Sequence, residues 1–198
     1  MKCRSCNSKL NKKLIDLGSA PPSNAYLTKD SLKAPEKWFP LKVLICHHCW
    51  LVQTEDYTEA SQLFDSDYSY FSGFSQSWLL HAKNYVKKMI DEFEIDRNSK
   101  VCEIAANDGY LLQYFQEQNI PCFGVEPTSS TAAEARNKGI SIVEDFFGEQ
   151  LAKKLLKERG NVDLMVANNV LAHVPDINDF MKGLSQIIDS NGIISIEF

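Results

Sequence analysis

The sequence predicts an α/β fold with a parallel sheet, preceded by a small β-rich domain. Strand-like and helix-like apolar segments alternate over residues 99–198, a pattern typical of parallel βαβ units with right-handed crossovers. Two Cys-x-x-Cys pairs lie in the N-terminal part, as in small domains that a metal ion holds together. We therefore divide the chain into a metal-binding domain at 1–56, an aromatic-rich linker with an amphipathic helix at 57–98, and an α/β domain at 99–198.

The composition is that of a globular protein without membrane spans. Of the 198 residues, 44% are apolar and 24% are charged, which excludes a disordered chain. No apolar run approaches the ~18–20 residues of a transmembrane helix, and the N-terminus does not resemble a signal peptide. We expect a cytoplasmic protein, in which the six cysteines bind metal or pack in the core rather than form disulfides.

Charge is unevenly distributed, although the net charge is only −5. Residues 1–53 carry nine Lys or Arg and three Asp or Glu, a balance of +6, and the rest carries twelve and twenty-three, a balance of −11. A basic module can bind phosphate, either in a nucleotide-linked sugar or in nucleic acid. Alternatively, its lysines only keep a small domain in solution.

The two cysteine pairs, Cys3 with Cys6 and Cys46 with Cys49, have the spacing of zinc ligands. Each pair places two thiolates on a tight turn, and two such turns complete a tetrahedral site with no open position. Such a structural zinc orders a segment that is too small to form its own core. The two histidines inside the second pair are expected to be exposed or to support the ligands.

Between the cysteine pairs the sequence predicts strands and turns. Gly, Asn and two prolines exclude a helix over 17–27. The alternating segment 39–45 and the short segment 51–54 are predicted strands. The first domain is therefore expected to be β-rich.

Residues 57–74 are rich in aromatic side chains among Asp, Ser and Gly. Such a segment either packs against the body of the protein or lines a ligand cleft, because a phenol offers both a ring face and a hydrogen-bonding group. Residues 75–93 then show the periodicity of an amphipathic helix. His81 lies beside its apolar face and is interpreted as a packed or solvated residue.

The segment 101–112 has the pattern of a buried strand, a tight turn and a helix start. Of the three positions that hold glycine in dinucleotide-binding loops, only Gly109 is glycine, and Ala105 and Asn107 occupy the other two. The loop is therefore a poor pyrophosphate site. It suits S-adenosylmethionine, which has no phosphate, or it is an ordinary strand–helix connection.

Further alternation completes the predicted α/β domain. The remaining predicted strands are 121–126, 140–143, 162–167 and 193–198, and the predicted helices are 132–138, 148–159 and 176–189. Cys102 and Cys122 fall on buried strands and are interpreted as core residues.

Three motifs resemble those of class I S-adenosylmethionine-dependent methyltransferases: Glu-Ile-Ala-Ala-Asn-Asp-Gly-Tyr-Leu-Leu at 103–112, Gly-Val-Glu-Pro-Thr-Ser at 124–129, and Ala-Asn-Asn-Val-Leu-Ala-His-Val-Pro-Asp at 167–176. Together with the cysteine pairs and Asp-Tyr-Ser-Tyr-Phe-Ser-Gly-Phe-Ser at 67–75, the whole chain resembles the deoxysugar C-methyltransferases with an N-terminal zinc-binding domain. The resemblance implies a Rossmann-like domain for S-adenosylmethionine, a structural zinc, and methylation of a nucleotide-linked keto-deoxysugar at carbon.

The resemblance also implies which residues bind the methionine end of the cofactor. Glu103 and the following loop would hold it, near the N–H groups of a helix start. The loop residues concerned are Ala105, Asn107, Asp108 and Gly109.

Side chains after the next strands would hold the nucleoside. By the same resemblance, Glu126 would accept hydrogen bonds from the ribose hydroxyls, as an acid does in dinucleotide folds. Asp145 would bind the adenine amino group, and Phe146 would lie against the ring. Asn168 would face the methyl group, and His173 would be a structural turn residue.

The candidate catalytic residues are Tyr68 and Tyr70, which match the tyrosine-rich segment that approaches cofactor and sugar in the family. In the family, a further domain after the fifth strand supplies the base that deprotonates carbon next to the keto group. The sequence ends before that motif, so we expect an incomplete gene product that binds the cofactor but lacks the base. Its last strand would expose an apolar edge, which a partner protein could cover.

Three other functions are compatible with parts of the sequence. The basic first domain permits an RNA methyltransferase, but arginine-rich runs are lacking and the body is acidic, so we expect neither a nucleic-acid nor a membrane partner. A non-catalytic cofactor-binding remnant that serves as a partner subunit is an alternative. A nicotinamide-dependent oxidoreductase is disfavoured by the two missing glycines.

Overall fold

The computed structural model describes residues 1–23, 26–55, 57 and 70–198. The described residues form two compact units. One consists of the N-terminal residues up to 57 with Pro175–Asn178, and the other of 70–174 and 179–198. Among the described helices, none has the length and apolar character needed to cross a membrane.

The first unit contains a three-stranded antiparallel sheet. Its strands, in sheet order, are β1 (Lys12–Ala20), β2 (Phe39–Ile45) and β3 (Val52–Thr54). Strand β1 gives no signal in the sequence, because eight of its nine side chains are exposed and buried and exposed residues do not alternate. The buried core of this unit is small: Cys3, Leu10, Leu44 and Cys46.

The second unit contains a five-stranded sheet in which every neighbouring pair is parallel, in the order β6-β5-β4-β7-β8. The strands are β4 (Val101–Ile104), β5 (Cys122–Val125), β6 (Ser141–Val143), β7 (Val162–Asn168) and β8 (Ile188–Glu197). The helices are α1 (Gln76–Phe93), α2 (Leu112–Glu117), α3 (Ser129–Asn137), α4 (Glu149–Arg159) and α5 (Ile177–Ile187). The predicted parallel α/β fold is confirmed.

Helices cover both faces of this sheet. Side chains of α1, α2 and α3 form one buried cluster with alternate residues of the central strands, and side chains of α4 and α5 form a second cluster with the other residues. The chain leaves β4 toward β5 and β6, then crosses over to β7. The strand order therefore reverses between β4 and β7, the place where open α/β sheets bind ligands beyond the carboxyl ends of their strands.

Two boundaries differ from the prediction. The fifth strand of this sheet begins at Ile188 rather than at 193, because Ile188 already pairs with Val162 directly after α5 ends. Gly192 allows the chain to continue at this irregularity, since a side chain there would collide with Ile188 and approach the Val162 carbonyl. The helix after β4 begins only at Leu112, so the turn that follows Gly109 is not yet helical.

The loop between β4 and α2 has positive φ values at the three positions of a glycine-rich loop, although only one of the three is glycine. Ala105, Asn107 and Gly109 all have positive φ values of 56°, 51° and 74°. Asn and Gly tolerate this left-handed region, but for alanine it costs roughly 1–2 kcal/mol. Ala105 is therefore a strained position next to the point where the strand order reverses.

Ala105→Gly should not destabilise the protein, because relief of the left-handed strain offsets the backbone entropy that glycine adds to the unfolded chain. The matched control is Ala133→Gly, at an exposed position inside α3, which should lower the unfolding free energy by about 1 kcal/mol. Chemical denaturation measures both. A loss of stability in Ala105→Gly as large as in the control would contradict the strained geometry.

Candidate functional site

Eight of the residues predicted to contact the cofactor lie at or just after the carboxyl ends of neighbouring parallel strands. The loop of Ala105 to Gly109 follows β4, Glu126 follows β5, and Asp145 and Phe146 follow β6, while Asn168 ends β7. Because all these strands are parallel, their carboxyl ends lie along one edge of the sheet. The site residues predicted for the cofactor thus lie at the edge that includes the reversal of strand order.

The Glu126 carboxylate joins the end of β5 to the loop after β4. Glu126 is only 4% exposed. Its Oε2 accepts a hydrogen bond from the Asn107 backbone N–H at 2.9 Å, and its Oε1 accepts one from the Thr128 N–H at 2.8 Å. Each carboxylate oxygen has a second lone pair, so the group can also accept hydrogen bonds from a ligand.

Glu103 lies on β4 and is buried, with 1% of its surface exposed. Burial, together with the nearby charges of Glu126 and Asp108, raises the pKa of Glu103 well above its ordinary value. Four buried oxygen atoms find no hydrogen-bond partner among the described residues: Glu103 Oε2, Asp108 Oδ1, Thr128 Oγ1 and the Tyr85 hydroxyl. Buried polar atoms are normally paired, so these oxygen atoms mark a candidate site for a ligand or an ordered water molecule that donates hydrogen bonds.

Two tyrosines that the sequence analysis missed lie close to Glu103. Tyr110 is buried next to the side chains of Asn168 and Glu103, and burial followed by the Glu103 charge raises its pKa. Tyr85, on α1, has a buried hydroxyl without a partner among the described residues, and burial raises its pKa as well. Tyr85 lies three residues after Ala82, on the apolar face of the predicted helix, and this spacing could have indicated that its side chain is buried.

Asp145 and Phe146 present a carboxylate and a ring to solvent. Asp145 is exposed and its Oδ1 accepts the Phe146 N–H at 2.8 Å, while Phe146 itself is 45% exposed. An exposed ring beside a carboxylate offers both a stacking surface and a hydrogen-bond acceptor. They follow β6, which neighbours β5.

The side chains of Asn107 and Asp108 form hydrogen bonds with the backbone of residues 70–73. The Asn107 side chain accepts the Ser72 N–H and donates to the Tyr70 carbonyl, both at 2.9 Å. Asp108 Oδ2 accepts the Gly73 N–H at 3.1 Å. The Asp108 side chain does not cap the following helix, because α2 begins at Leu112 without a side-chain cap. Tyr70 is 54% exposed, and Tyr68 lies outside the described residues.

The four cysteine sulfur atoms of the first unit converge. All lie within 4.8 Å of one another, with Cys3 Sγ 3.5 Å from Cys49 Sγ and Cys6 Sγ 3.6 Å from Cys46 Sγ. Zinc–sulfur bonds of about 2.3 Å in a tetrahedron place sulfur atoms about 3.8 Å apart, so this geometry fits zinc. The histidines between Cys46 and Cys49 are exposed and contribute no side chain to the cluster.

Gln53 supports this cluster and was not predicted. It is buried, its Nε2 donates to Cys3 Sγ at 3.3 Å, and its Oε1 accepts the Arg4 N–H at 3.0 Å. Burial opposes ionisation of Cys3, but hydrogen bonds from the Cys6 backbone and the Gln53 side chain lower its pKa to about 6. A glutamine on a three-residue strand gives no sign in the sequence of which cysteine it contacts.

Comparisons with known proteins match both units. A family model described as "Putative zinc binding domain" matches residues 3–64, and one described as "Methyltransferase domain" matches residues 78–197. The C-methyltransferase NovU of Streptomyces niveus is 25% identical over 195 residues, which are 98% of this chain and 46% of that protein. The chain therefore spans less than half the length of this curated relative.

Solved methyltransferase structures are more distant. Magnesium protoporphyrin IX methyltransferase from Synechocystis PCC 6803, with bound SAM, has 16% identity over 56% of this chain and 54% of that chain, with a TM-score of 0.46. A SAM-dependent methyltransferase from Thiobacillus denitrificans, in complex with S-adenosyl-L-homocysteine, has 11% identity over 64% of this chain and 50% of that chain, with a TM-score of 0.47.

The sequence prediction of a methyltransferase domain preceded by a zinc-binding domain is confirmed. The match to the methyltransferase model covers more than half of the chain and includes the whole parallel sheet with its loops. The chain therefore belongs to the methyltransferase domain family.

Proposed function

We propose that this chain binds S-adenosylmethionine at the reversal of strand order and serves methyl transfer to carbon of a nucleotide-linked keto-deoxysugar. The observation that carries the cofactor assignment is the set of acidic side chains at the strand ends: Glu103, Asp108, Glu126 and Asp145. Three of the four buried oxygen atoms that find no partner among the described residues lie there.

A site built from carboxylates selects against phosphate and for cations and hydrogen-bond donors. A pyrophosphate beside Glu103, Asp108 and Glu126 would meet like charges in a region of low dielectric constant. S-adenosylmethionine offers an ammonium group, ribose hydroxyls, an adenine amino group and a positively charged sulfonium. Its hydrogen-bond donors and positive charges therefore match the acceptors at this edge. A nicotinamide dinucleotide also has hydrogen-bond donors, but the carboxylates would repel its negatively charged phosphates.

Each acidic residue has one role in this proposal. Glu103, at the buried end of the site, accepts the ammonium of the methionine part, and Glu126 accepts the ribose hydroxyls with its free lone pairs. Asp145 and Phe146 bind adenine by its amino group and its ring face. Ala105 to Gly109 form the loop against which the cofactor lies.

The acceptor binds beside Asn168 and the tyrosine segment. The bound cofactor supplies an electrophilic methyl group on its sulfonium. Tyr70 and Tyr68 are proposed to orient the sugar, because a phenol both donates a hydrogen bond and covers a ring. Carbon methylation is supported by NovU, a C-methyltransferase similar to 98% of this chain, and the sugar by the resemblance of the motifs at 67–75 and 103–112.

The zinc ligands in the proposal are Cys3, Cys6, Cys46 and Cys49. Four thiols fill a tetrahedron and leave no position for a substrate, so the ion stabilises the first unit rather than taking part in chemistry. Thiols stay free to bind metal in a reducing compartment. The four-cysteine cluster therefore supports the proposed cytoplasmic location.

S-adenosylhomocysteine should bind to the zinc-loaded protein, and NAD should not, when both are titrated by calorimetry. Glu126→Gln should weaken S-adenosylhomocysteine binding about 10- to 100-fold, since charge-assisted hydrogen bonds to the ribose are lost. Glu117→Gln, an exposed position on α2 with the same charge change, should bind as the wild type does.

Binding of NAD in place of S-adenosylhomocysteine would overturn the cofactor assignment, and so would the absence of binding by either. Equal affinity of Glu126→Gln and Glu117→Gln for S-adenosylhomocysteine would show that Glu126 does not bind the cofactor. The assignment of the cofactor itself would stand.

Gln53→Ala should lower the zinc affinity of the protein about 10- to 100-fold, because the Cys3 thiolate loses a hydrogen bond that orients and stabilises it. Thr54→Ala is the matched control, since its side chain is exposed on the same strand. Competition with a chromophoric chelator measures both affinities. A Gln53→Ala protein that holds zinc as tightly as the control would contradict this role.

A further inference from the structure

Residues 70–73, which we term the strap, lie on the loop between β4 and α2. Asn107 holds the strap through the Tyr70 carbonyl and the Ser72 N–H, and Asp108 holds it through the Gly73 N–H. The strap and the loop are about 35 residues apart in sequence. Three hydrogen bonds therefore fix the backbone next to Tyr70 against the proposed cofactor loop.

Lys138 completes this arrangement from the end of α3. Its Nζ donates to Asp108 Oδ2 at 3.1 Å and to the Asp108 carbonyl at 2.8 Å. The Asp108 side chain is only 5% exposed, and Glu103 and Glu126 lie nearby. A buried carboxylate in acidic surroundings is costly unless a cation is paired with it, so Lys138 compensates the charge of Asp108.

The contact between Asp108 and the strap is too close for any side chain on residue 73. A Cβ on Gly73 would lie 2.3 Å from Asp108 Oδ2 and 3.4 Å from Lys138 Nζ. The absence of a side chain at Gly73 therefore allows its backbone to reach the Asp108–Lys138 ion pair directly.

The strap places Tyr70 at the site. The hydrogen bond holds the Tyr70 backbone against Asn107, three residues before Tyr110, and Tyr110 lies beside Glu103 and Asn168. We propose that Asn107, Asp108 and Lys138 are positioning residues, which hold the strap so that Tyr70 lies over the bound cofactor. This inference rests on the proposed function. Lys138 acts through Asp108 and the strap, without contacting the ligand itself.

Lys138→Met in the full zinc-loaded chain should weaken S-adenosylhomocysteine binding about tenfold, because the charge-assisted bonds of Asp108 are lost. Lys138→Arg should largely restore binding. Hydrogen exchange by NMR should show faster exchange of the Ser72 and Gly73 amides in Lys138→Met. Lys87→Met, an exposed position on α1, is the control with the same charge change and should alter neither property.

A double-mutant cycle separates positioning from general stability. If Lys138 acts through Tyr70, then Tyr70→Ala should weaken binding, and adding Lys138→Met to it should have no further effect. Additive losses, or wild-type affinity in Lys138→Met, would overturn the proposal and leave the proposed function standing. Absence of S-adenosylhomocysteine binding to the wild type would instead overturn the proposed function and the positioning role with it.

Discussion

Burial of acidic side chains around one loop is the constraint on which the second unit depends. Glu103 enters the core from β4, Glu126 ends β5, and Asp108 lies between them on the loop. The three carboxylates differ in how their burial is compensated. Glu126 accepts hydrogen bonds from two backbone N–H groups, and Asp108 pairs with Lys138. Glu103 has one oxygen without a partner among the described residues. We propose that a bound cation pairs with the Glu103 oxygen that no described residue contacts.

The fold was largely predictable because the signals for its strands and helices are local. Buried parallel strands appear as short apolar runs, and α1 and α4 show a clear helical period. Prediction failed where tertiary contacts decide. β1 exposes nearly all its side chains and owes its extended form to pairing with β2, and Ile188 joins the sheet because Val162 lies opposite.

The site was predictable only in part. Glu126 and Asn168 were named from the motif resemblance, and the structure places them at the carboxyl ends of neighbouring parallel strands, along one edge of the sheet. Asn107 and Asp108 show the limit of that reasoning: the sequence places them correctly on the loop but cannot show that their side chains bind a segment about 35 residues earlier. The roles of Lys138 and Gln53 could not be predicted from the sequence. A lysine at a helix end and a glutamine on a strand are usually exposed and make no specific contact.

The central proposal is that Glu103 binds the ammonium group of the cofactor. The number of protons released when the cofactor binds tests this proposal most directly. Burial and the charges of Glu126 and Asp108 raise the pKa of Glu103, and an ammonium that binds beside Glu103 should lower that pKa again, so protons should be released on binding. Calorimetric titration of S-adenosylhomocysteine in buffers of different ionisation enthalpy counts the protons released. The account predicts a measurable release that disappears in Glu103→Gln. Binding without proton release, or equal release from both proteins, would contradict it.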